Sequence, residues 1–139
     1  MITLTPCWQD TMATNAFAVK SGIVKNTLRG WIEEVPPYAV SYIALCLILQ
    51  VSPQEIIDEG IDTLCDRRGL TFSDICFLCG VSVNNYFLFK KNLSSNSKPL
   101  LILASLHKYY SFEQLFDIQQ IKADIGKRIT RASDVLYAA

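Results

Sequence analysis

Apolar residues recur at spacings of three and four along most of this chain, the period of an α-helix, and the polar residues between them carry helix start and stop signals. Thr14 or Asn15 is placed to cap a short helix that ends at Gly22. After a turn over Ile23 to Lys25, a second helix is expected from Asn26 to Glu34. Leu28, Trp31 and Ile32 form its buried face, and Lys25, Asn26, Arg29 and Gly30 face outward. Pro36 and Pro37 end it. The stretch from Tyr38 to Gln50 is apolar almost all round, the mark of a central core helix. Ser52, Pro53 and Glu55 then combine an N-cap, a proline at the first helical position and an acid in the first turn.

The same signals return in the same order. An acidic link (Asp58, Glu59, Asp62, Asp66) leads into a helix ending at Arg67, Arg68 and Gly69. Thr71 or Ser73 caps a helix from Phe72 to Cys79, Gly80 to Val83 make a turn, and Asn84 to Lys91 make the next helix. The Ser/Asn-rich stretch Asn92 to Lys98 precedes Pro99 and an apolar helix, Leu100 to Tyr109. Key positions pair at one constant offset: Phe17 with Ile75, Ala18 with Cys76, Ser21 with Cys79, Gly22 with Gly80, Leu28 with Tyr86 and Trp31 with Phe89. After one inserted residue the register resumes, Ser52 meeting Ser111 and Asp58 meeting Asp117. On the tail, Ile118, Ile121, Ile125 and Ile129 form an apolar stripe, with Lys122, Lys127, Arg128 and Arg131 on the other face. The chain is therefore expected to be all-α, with residues 1–60 and 61–117 as two related units and residues 118–139 as an amphipathic helix for packing or dimerisation.

With 139 residues, 50% of them apolar, the chain can bury one good core or two small ones. Its 13 basic and 13 acidic side chains cancel, so any nucleic-acid binding must come from a local patch. Met1 to Asp10 lacks the basic start and apolar run of a secretory signal, and Pro36 and Pro37 break the longest uncharged stretch, so no membrane span is expected. Five cysteines and no export signal point to reduced thiols and a cytoplasmic protein.

The first unit, through Phe17-Ala18, Ser21-Gly22-Ile23, Thr27-Leu28, Trp31, Pro37, Val51-Ser52 and Glu55-Ile56-Ile57, resembles the lambda-repressor-like (XRE-type) helix-turn-helix family. The second, through Ile75-Cys76, Gly80-Val81-Ser82, Tyr86, Phe89 and Ser111 to Phe116, resembles a divergent copy. The resemblance implies two tandem helix-turn-helix units of about five helices each, a bacterial or phage transcriptional regulator, double-stranded DNA as partner and a possible homodimer. It places base reading at Lys25, Asn26 and Gly30, with Thr27 and Arg29 beside phosphates or nearby bases. Asn can bond adenine through two contacts and Lys can reach guanine, so Lys25 and Asn26 are competent readers. The matching positions of the second unit are Val83, Asn84 and Leu88, flanked by Asn85, Phe87, Lys90 and Lys91. Val83 can meet a thymine methyl, Lys90, Lys91 and Lys98 can meet phosphates, and an exposed Phe87 or Leu88 suits a protein contact.

Other chemistry is thin. Cys76 and Cys79 form a C-x-x-C that Cys65 and His107 could complete as a zinc site, yet they stand where the first unit has Ala18 and Ser21, as buried small residues would. The single histidine, His107, has no nucleophile at a useful spacing, so neither catalysis nor a cofactor is expected. Arg67 and Arg68 suit either a helix dipole or phosphate. The balanced charge, Gly30 and the Phe87-Leu88-Phe89 run keep open a rival of another class, an adaptor or antirepressor that uses this scaffold, or its C-terminal helix, to bind protein.

Overall fold

The computed structural model describes residues 15–93, 98–116 and 118–137. Cys7, Thr14, Asp117 and residues 94–97 lie outside the described residues, as do the side chains of Asn15, Ile32 and Arg131. The fold is all-α. Its elements are α1 (Asn15–Ser21), α2 (Lys25–Glu33), α3 (Pro37–Leu49), α4 (Pro53–Glu59), α5 (Ile61–Arg68), α6 (Phe72–Cys79), a 3-10 turn (Val83–Asn85), α7 (Tyr86–Lys91), α8 (Lys98–His107), α9 (Phe112–Leu115) and α10 (Gln119–Tyr137).

The start signals work through hydrogen bonds. Ser52, Thr71 and Ser111 each accept the N–H of the third helical residue, and Glu55, Asp74 and Gln114 reach back to the cap N–H in return. α3 stops at Gln50, which turns left-handed at φ 56° and accepts a hydrogen bond from Arg68 at 3.2 Å.

One core runs through both halves. α3 is its axis, with Ala39, Ile43 and Leu45 fully buried on different sides of the helix. It packs against α5, α6, α8 and α10, while α4 packs against α8 and α10 against α6. The halves thus interleave. Tyr42 of α3 stacks on Phe89 of α7 at 5.2 Å, and Phe17 of α1 meets Tyr109 and Tyr110 at 6.4 and 6.1 Å. Ile118, Ile121 and Ile125 of the tail stripe are buried, but Ile129 is half exposed. Arg128 departs from the outward face expected for it. Its guanidinium turns inward and donates to the Leu78 carbonyl at 2.9 Å.

The two short helices α1 and α6 end alike. Gly22 and Gly80 both take a left-handed conformation, at φ 73° and 77°. The carbonyl two residues before each glycine accepts a side chain from far along the chain: Tyr109 Oη donates to Lys20 O at 2.9 Å, as Arg128 does to Leu78 O. Only Gly80 is also crowded, since a Cβ there would lie 2.6 Å from an Arg128 nitrogen. Gly22→Ala should cost about 1–2 kcal/mol from backbone conformation alone. Gly80→Ala should cost about 2–3 kcal/mol because it also displaces Arg128. In an Arg128→Ala background the Gly80 penalty should fall to the Gly22 value, a cycle that urea denaturation can read.

Candidate nucleic-acid interface

α2 is held by one face. Leu28 and Trp31 are buried, with Val35 just beyond the helix, while Asn26, Arg29 and Gly30 are exposed and Lys25 and Thr27 are half-buried. The helix begins at Lys25, one residue earlier than expected, and no side chain caps it. Charge along it is polarised, with Lys25 at its start, Arg29 at its middle and Glu33 and Glu34 at its end. Among the described residues, no ion pair engages Lys25 or Arg29.

The corresponding element of the second half is built differently. Where a continuous helix from Asn84 to Lys91 was expected, Val83–Asn85 form a 3-10 turn and the α-helix starts only at Tyr86. The reason is local: Asn85 Nδ2 donates to Ser82 Oγ at 2.9 Å and the Asn85 N–H to the Ser82 carbonyl at 2.9 Å, a pairing that competes with helix winding. Asn84, Asn85 and Lys91 are exposed. Lys90 is exposed too, but is paired with Asp62 at 3.0 Å and lies 5.6 Å from the Phe72 ring centre. Val83, Phe87 and Leu88 are 74%, 80% and 54% exposed. The two turn-and-helix segments therefore differ on their outer faces: the first exposes Asn26, Arg29 and Gly30, and the second adds the apolar Val83, Phe87 and Leu88 to its exposed Asn and Lys residues.

Other expected residues are engaged elsewhere. Arg67 pairs with Glu59 through two hydrogen bonds, at 2.6 and 3.0 Å. His107 is tilted over Phe112 at 4.8 Å. Contacts that sequence reading missed join distant parts of the chain, Arg128 with the α6 terminus and Tyr109 with Lys20, and Lys98 of α8 lines a cleft opposite the start of α2. No local periodicity encodes them.

Cys46, Cys65, Cys76 and Cys79 are free and buried. Loss of solvent pushes all four thiols above their ordinary range, Cys76 up to about 11. Among the described residues, no group of three His, Cys, Asp or Glu side chains is placed to hold a metal ion. A thiol kept neutral in the fold but ionising near 9.0 when unfolded stabilises the fold fully below pH 9, and that contribution is lost as pH rises toward the native value of about 11 for Cys76. Thermal stability should accordingly decline between pH 9 and 11, and iodoacetamide at neutral pH should label these four cysteines only after unfolding. Rapid labelling of the native protein at Cys46 or Cys79 would contradict their burial.

Among the described residues, no single helix is long and apolar enough to cross a membrane. Compared with known protein families, curated proteins and solved structures, the chain matches none.

Proposed function

We propose that this protein is a DNA-binding transcriptional regulator whose first half reads the major groove with α2. The observation that carries the reading is the arrangement of α1, the left-handed Gly22 turn and α2, with Leu28 and Trp31 buried and Asn26 and Arg29 exposed. A helix pinned by one face with polar residues at the start of the other is what a groove-reading helix requires. Lys25 and Asn26 read bases, and Thr27 and Arg29 meet nearby bases or phosphates. Such a regulator acts by occupancy, as repressor or recruiting activator, and needs no cofactor.

A second reading, an interaction protein on the same scaffold, is favoured by one observation, the exposed Val83, Phe87 and Leu88 on the second half. The two are separated by fluorescence anisotropy with labelled duplexes across a salt series. DNA reading predicts affinity that falls steeply with salt. Once a preferred sequence is known, Asn26→Ala should lose about 1–3 kcal/mol of discrimination at one base while leaving the salt dependence intact. Absence of binding at low salt would leave the interaction reading.

A further inference from the structure

We infer that the second half of the chain supplies a phosphate contact to the reading helix of the first half, through Lys98 at the start of α8. The inference rests on the DNA-binding reading above. A cleft of about 210 Å³ separates Gly22, Val24 and Thr27 on one side from Lys98, Leu101 and Ser105 on the other. The residues of the far wall follow helical spacing, so one stripe of α8 runs beside the turn and the first residues of α2.

Lys98 thereby lies beside the first turn of α2 and not its acidic end, because Glu33 stands about 9 Å from Thr27 along the helix axis. Lys98 is exposed, and no ion pair among the described residues engages it, in contrast to Lys90 beside Asp62 and Lys122 beside Glu113. In a chain of zero formal net charge, attraction to a polyanion must come from individual cations that no carboxylate neutralises, and Lys98 is one of them. A phosphate is the group that fits. Lysine acts as a compact charge on a flexible stem, and it sits beside the reading helix, where the groove wall is sugar and phosphate and not base edge. Thr27 and Ser105 add hydroxyl groups on opposite walls of the same cleft.

The test uses the full chain and a labelled duplex of about 20 base pairs, two helical turns. Lys98→Ala should lower the slope of log affinity against log salt by about 0.9, and weaken binding about eightfold at 0.1 M salt, equally for every sequence. Lys98→Arg should restore both. Lys127→Ala, which removes an exposed cation from α10, should change neither. Wild-type binding with an unchanged slope in Lys98→Ala, or an equal loss in Lys127→Ala, overturns the Lys98 contact and leaves the α2 reading standing. No wild-type binding at low salt overturns both.

Discussion

A fragment ending at Gly60 should be largely unfolded, its helical circular dichroism fading on heating without a cooperative transition. The physical reason is where its apolar surface goes. α3 packs on α6, α8 and α10, α4 packs on α8, and Phe17 packs on Tyr109 and Tyr110, all beyond the cut. Removing those partners exposes Ile43, Leu45 and Ile56, which are fully buried in the whole chain. About 60 residues bury only a marginal fraction of their surface even when self-contained, and these contacts are not self-contained. A sigmoidal melt of the fragment would show that the first half holds a core of its own.

Phe116→Ala should cost about 3–5 kcal/mol, a large part of the roughly 5–15 kcal/mol that holds a domain of this size together. Phe116 is 1% exposed in the link between α9 and α10, with its ring 6.2 Å from Phe112, so truncation leaves a cavity that the surrounding helices cannot fill. Phe87→Ala is the contrasting change. At 80% exposure its effect on stability should stay within about 0.5 kcal/mol, yet on the interaction reading it should remove partner binding. Urea denaturation compares the two variants directly, and a Phe116 penalty below about 1 kcal/mol would contradict its place in the core.

Helices were legible in the sequence because their determinants are local. The Ser52-Pro53-Glu55 start, the Thr71 cap and the Gly22 and Gly80 stops each act within one turn, and the corresponding helices begin or end there within a residue. The all-round apolar character of the Tyr38 to Gln50 stretch likewise announced α3 as the core axis. The 3-10 turn at Val83–Asn85 escaped, because Ser82 and Asn85 settle that first turn between themselves before the α-helix begins at Tyr86. Interleaving escaped as well. Periodicity marks which face of a helix is buried, but says nothing of which helix covers it, so nothing in the sequence set Lys98 of the second half across a cleft from Gly22 and Thr27 of the first. The outward placement of Arg128 failed for a related reason: its acceptor, the Leu78 carbonyl, is 50 residues away.

The interleaved core also bears on how the outer faces of the two halves can come to differ. Neither half can be shed, since each covers the apolar faces of the other, so the inner positions of both are bound to change in concert. The outer faces carry no such obligation. Asn26 and Arg29 on one half, and Phe87 and Leu88 on the other, lie on surfaces where substitution costs the fold little, so the two exteriors can diverge while the shared interior holds still.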